Sequence, residues 1–146
     1  MLQRIQTIFL VLAAACSLGL WAFPFATAVG DLQASTLLHD ETYTLTDNPA
    51  LMGAFSIGAL LSVIAIFLFK NRFSQTRVAI FAFIANFIGM ILVVVLFFND
   101  TKNQGTATVN DGLGAYLPTL AMIFILVALR FIKKDENIVR SMDRLR

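Results

Sequence analysis

Of 146 residues, 58% are hydrophobic and only 14% charged, with a mean hydropathy of +0.80, a balance that excludes a water-soluble surface for so short a chain. A net charge of +2 and a pI near 9.0 would point to nucleic acid only if the cations formed one patch. They are instead divided among segments flanking apolar runs, where cations set topology and meet lipid headgroups, so no nucleic-acid partner is expected. The single cysteine, Cys16, excludes an internal disulfide.

The first apolar run starts at about Thr7, is strong to Phe23 and is read through to Val29. Arg4 followed by Ile5 to Ala15 has the look of a signal peptide, and Ala13-Ala14-Ala15-Cys16 is a partial lipoprotein box. The apolar character nevertheless continues through Leu18, Leu20, Trp21, Phe23 and Phe25, where a processed lipoprotein would turn polar. An uncleaved helix is therefore expected. Three further runs occupy residues 50–69, 78–98 and 113–132. Each holds about 20 residues, which at ~1.5 Å per residue crosses a hydrocarbon core of ~30 Å. None contains Asp, Glu, Lys or His, and Arg130 sits at the end of the fourth, where it can snorkel. Pro24 should end or kink the first helix, while Asp47-Asn48-Pro49 supplies a capping side chain and a proline to open the second. The expected fold class is all-α membrane, one domain of four antiparallel transmembrane helices.

Charge orients the bundle. Arg4, Lys70, Arg72, Arg77 and the cations from Arg130 to Arg146 lie on one side of it, ten of the eleven Lys and Arg. The two other connections carry Asp31, Asp40, Glu41, Asp47, Asp100 and Asp111, with Lys102 as their one cation. Short basic loops stay in the cytoplasm, so both termini are expected there. On the opposite side, Thr42 to Thr46 alternates polar and apolar residues and is rich in β-formers. It is read as pairing with Ser35 to Leu38 across His39-Asp40-Glu41, with Thr106 to Val109 as a third strand. A small sheet capping the bundle on that exported side is the expectation, and an irregular polar loop the alternative, since isolated hairpins are marginal. Residues 133–146 form a cytoplasmic tail read as an amphipathic helix, continuous with the fourth or separate. Ile138, Val139, Met142 and Leu145 share one face, and Arg140 and Arg144 lie elsewhere. Such a face suits anionic headgroups or a docking partner.

Chemistry is sparse. Ala50, Ala54, Gly58 and Ser62 recur at every fourth position, and Ala85 and Gly89 share that spacing in the third run. Small residues so placed let helix backbones approach closely in lipid, so these are read as helix-packing positions within the monomer or against a second chain. Asn86 is the strongly polar side chain near mid-segment; it should seek an interhelical hydrogen bond, with Ser17, Ser62 and Thr119 as partners by depth. An amide without titratable neighbours makes a poor proton or ion path, which argues against a pump. His39 beside Asp40 and Glu41 is a weak, open metal set, better read as a solvated turn. Cys16 has no histidine to activate it and reads as packing. With no phosphate loop, zinc helix or nucleophile elbow, neither enzymatic activity nor a cofactor is expected.

The opening Met1-Leu2-Gln3-Arg4-Ile5-Gln6-Thr7 and the close Lys133-Lys134-Asp135-Glu136-Asn137-Ile138-Val139-Arg140-Ser141-Met142-Asp143-Arg144-Leu145-Arg146 resemble the family called domain of unknown function 4293, small four-helix membrane proteins of Bacteroidetes-type bacteria. The resemblance implies a bacterial inner membrane and a periplasmic side for the acidic loops. It implies no catalytic or binding residue, because the family has no established activity. The layout is also similar to that of claudins in topology alone, without their paired loop cysteines. The function expected from these features is that of a non-enzymatic scaffold or accessory subunit engaging a partner through the tail or the small-residue stripe. The alternative is a small transporter or lipid-handling protein with a cavity near Asn86.

Overall fold

The structure, a computed structural model, describes residues 2–29, 40–101 and 108–143. Four helices carry the chain: α1 (Leu2–Gly19), α2 (Pro49–Phe67), α3 (Arg72–Thr101) and α4 (Leu117–Asp143). Three short strands join them at one end: β1 (Ala26–Val29), β2 (Thr42–Tyr43) and β3 (Thr108–Asp111). Each helix packs on two neighbours in a ring, α1 chiefly on α4 and α2 chiefly on α3. Among the described residues three stretches are long and apolar enough to cross a membrane: Pro49–Lys70, Arg72–Asp100 and Leu113–Val139. The apolar part of α1, Ile5–Gly19, is shorter.

The first helix stops well before Val29. Its last residue is Gly19, after which Trp21 N–H bonds the Leu18 carbonyl and Ala22 and Phe23 close tight turns on Gly19. Pro24, which disfavours a helical residue before it, then sends the chain out extended. Residues 26–29, read from hydropathy as helix, form the central strand of an antiparallel sheet ordered β2-β1-β3. The strand is a run of four small, mostly apolar residues, and hydropathy alone cannot separate so short a strand from the end of a helix. Ala26 stands opposite Tyr43 on one side and Asp111 on the other. The strand at Thr42–Tyr43 thus pairs with β1; the expected partner Ser35 to Leu38 lies outside the described residues, as does His39. β3 is described over Thr108–Asp111, and the expected strand residues Thr106 and Ala107 lie outside the described residues.

Local chemistry sets the other boundaries. Asn48 caps α2, its side-chain oxygen accepting from Ala50 N–H at 2.9 Å, and Pro49 follows at the first helical position. Thr44 and Asp47 close a reciprocal capping box over the single turn of 3-10 helix at Leu45–Asp47. Gly112 and Gly114 are required by contact: a side-chain carbon at either would collide with the Pro24 carbonyl, to which Gly114 N–H donates at 2.8 Å. Through Asp143 the tail continues α4 without a break, and residues 144–146 lie outside the described residues.

Two cores stack along the bundle. Toward the sheet, Leu20, Phe25, Tyr43, Leu45, Leu51 and Phe55 pack as one cluster. Toward the termini, Leu10, Ala13, Ala65, Ala79, Ala82, Ile125 and Ala128 form another. Many large apolar side chains point outward instead, among them Ile57, Leu60, Phe67, Phe81 and Ile88. In the most apolar window of Arg72–Asp100 only 17% is buried, so most of that surface needs an apolar solvent.

Candidate functional site

The bundle centre is polar, small and filled. Asn86 is fully buried on α3, where Ser17 Oγ of α1 donates to its Oδ1 at 2.8 Å and its own Nδ2 donates to the Ala82 carbonyl at 2.9 Å. Ser17 Oγ also lies 3.1 Å from the Ala13 carbonyl. Gly58 of α2 completes the enclosure, since a side-chain carbon there would occupy the space of the Asn86 amide. Ser62, one turn on, donates back to the Gly58 carbonyl at 2.9 Å. Thr119 is exposed. An interhelical bond of this kind contributes about 0.6 kcal/mol on average in lipid. Every polar atom named at the centre is thereby taken up by its neighbours.

The small residues divide by face. Gly58 faces Asn86, and the Phe55 ring fills the space beside Gly89, so both serve contact between α2 and α3. Ala54 and Ala85 are half-buried and line an outward groove of about 420 Å³ with Ile57, Leu61, Phe81, Ile84 and Ile88. Ala50 is exposed at the start of α2. One four-residue spacing therefore serves two surfaces, inner and outer.

The end near the termini is tied by polar contacts that hydropathy does not reveal. Arg72, beginning α3, reaches α4, where one guanidinium nitrogen lies 3.0 Å from Asp135 Oδ2 and the other donates to the Asp135 carbonyl at 2.9 Å. Buried Gln6 donates to the Phe131 carbonyl at 3.1 Å, and the Phe9 ring stacks on Phe131 at 5.8 Å. Gln75 is also buried. The only sequence signal for these residues is polarity interrupting an apolar approach. In the tail, Ile138 and Val139 are exposed; the side chains of Arg140 and Met142, and residues Arg144 and Leu145, lie outside the described set.

At the sheet end, Tyr43 is buried against Phe25 and Phe97 and its hydroxyl donates to the Val93 carbonyl at 3.4 Å. Burial first, then the carboxylates of Asp47 and Asp100, push its ionisation well above the usual tyrosine range. Among the described residues no group of three or more His, Cys, Asp or Glu comes close enough to hold a metal ion. No curated protein and no solved structure matches the chain. The family model for a domain of unknown function, DUF4293, matches residues 2–145. The chain belongs to that family.

Proposed function

We propose that this DUF4293 protein is a non-enzymatic accessory subunit of the bacterial inner membrane, spanning it four times and docking a partner's transmembrane helix in the groove between α2 and α3. The observation that carries the reading is the division of the small residues. Gly58 and Gly89 are used up inside the monomer, whereas Ala54 and Ala85 open a wholly apolar groove to the outside. A helix backbone laid against two alanines gains close packing that lipid chains do not match. The fourth span would be α1, which packs along α4 and α2; the turn bearing exposed Trp21 and Phe23 extends its reach into the interface. The basic turn at Lys70 and Arg72 and the end of α4 would face the cytoplasm, and the sheet the periplasm. A transporter would need space at the bundle centre, where the Asn86 amide already fills the room that a side-chain carbon on Gly58 would take.

The test is photo-crosslinking in cells from Ile57 and Ile84, at the groove, with Leu60 on the neighbouring exposed face as the comparison. The reading expects one discrete protein adduct from the groove positions, lost in the double substitution Ala54→Leu with Ala85→Leu. A cleanly monomeric protein giving no adduct from either position, or only lipid adducts, would overturn it. Removing residues 134–146 separates docking by the groove from docking by the tail.

A further inference from the structure

Beneath the sheet lies a cavity of about 210 Å³ whose lining is unlike that of the outer groove. It is built by register. Tyr43, Ala26 and Asp111 stand directly opposite one another across β2, β1 and β3, and directly opposed residues project from the same face. The row therefore reads large, small, acidic, and the shortness of Ala26 leaves space between a phenol ring and a carboxylate. Helix α3 closes that space from the other side with Val93, Val94, Phe97 and Phe98. The Phe97 and Phe98 rings meet edge to face at 74°, forming a corner, while Tyr43 stacks on Phe97 at 6.3 Å. Phe25 backs Tyr43 at 5.3 Å. Tyr43 and Phe25 are buried, whereas Phe98 and Asp111 are exposed, so the floor is dry and the rim open.

Aromatic faces attract cations, and most strongly those whose hydration shell is weak, as in alkylammonium groups. The surrounding charge has the matching sign: Asp40, Glu41, Asp47, Asp100 and Asp111 lie at this end, and among the described residues no Lys or Arg does. A purely apolar ligand would gain nothing from Asp111, and a hydrated metal ion nothing from four rings. We propose that this cavity binds an organic ammonium group, its alkyl substituents held among Tyr43, Phe97 and Phe98 and its charge facing the Asp111 carboxylate. The place fits either the amine headgroup of a phospholipid or a free quaternary amine. It stands apart from the α2–α3 groove, so neither proposal depends on the other.

The test uses the full chain in nanodiscs of phosphatidylglycerol, titrated with choline and with its neutral isostere 3,3-dimethyl-1-butanol by saturation-transfer NMR. Choline should bind more tightly than the isostere, and Phe98→Leu or Asp111→Asn should each weaken it about fivefold. Both residues are exposed, so folding is not at stake, and Trp21→Leu, in a different cavity, should change nothing. Repeating the titration in discs containing phosphatidylethanolamine separates the sources. Competition assigns the site to the lipid headgroup, and unchanged choline affinity assigns it to a free amine. Equal binding of the neutral isostere, or choline affinity indifferent to both substitutions, would overturn the proposal.

Discussion

The two ends of the bundle are held together by opposite means. At the sheet end, bulk does the packing: Phe25, Tyr43, Phe55, Leu20 and Leu51 fill the space between helices and strands. At the other end alanines predominate: Ala13, Ala65, Ala79, Ala82 and Ala128 line the interior beside Leu10 and Ile125, and small side chains let the helices approach closely. The difference follows from what each end must do. Where the chain leaves helix and enters a sheet, the elements diverge and large side chains close the gap. Where four helices run side by side in an apolar solvent, burial of bulk gains little, and close approach supplies dispersion and short polar contacts.

That contrast is sharpest at Gly58, on the boundary between the two. Gly58→Leu should be the most damaging single change, since the new side chain displaces the Asn86 amide; a loss of roughly 2–3 kcal/mol is expected, read as a fall in detergent melting temperature. Ala54→Leu, four residues away but facing the groove, should leave that melting temperature nearly unchanged and act only on partner capture. A similar loss from both would dissolve the distinction between inner and outer small residues. Next in size is Arg72→Met at the terminal end, which removes both contacts to Asp135 and should cost about 1–3 kcal/mol, with increased exchange of α4 amides beyond Phe131. Asn86→Leu should cost less, about 0.6–2 kcal/mol, because it leaves Ser17 one remaining acceptor at the Ala13 carbonyl.

The smallest effect belongs to the sheet end. Tyr43→Phe removes a long hydrogen bond and should cost about 0.5 kcal/mol near neutral pH. The sign reverses in alkali. Because folding raises the ionisation of Tyr43, its contribution is complete below the usual tyrosine range near pH ~10 and is lost as pH rises beyond it. Chemical denaturation at rising pH should therefore show the wild type losing its advantage over the phenylalanine variant. A gap that stays constant in alkali would remove Tyr43 from the buried, carboxylate-facing setting described here.

Much of this was legible in the residues themselves, and what was not has a physical reason. The helix at Pro49 is written in Asn48 and Pro49, because capping is local. The strand at Ala26–Val29 was not legible as one, since so short an apolar run shows no period of its own and its partners lie 17 and 79 residues away in sequence (Ala26 with Tyr43, Val29 with Thr108). The cavity beneath it follows from that register and was invisible for the same cause. The fourfold spacing of Ala50, Ala54, Gly58 and Ser62 announces close packing, but not which members face inward; that depends on how α2 is rotated against α3. Arg72 reads in the sequence as a topogenic charge and Asp135 as one residue of the tail, and their pairing is a matter of helix length and offset.

The most direct measurement is the accessibility of the two ends from either side of the membrane. In a Cys16→Ala background, single cysteines replace Thr46, beside the sheet, and Asn71, in the turn between α2 and α3, both exposed. A membrane-impermeant maleimide applied to intact spheroplasts should label Thr46→Cys at once and Asn71→Cys only after lysis. Labelling of Asn71→Cys before lysis, with Thr46→Cys protected, would invert the orientation on which the sheet-end and terminal-end roles rest.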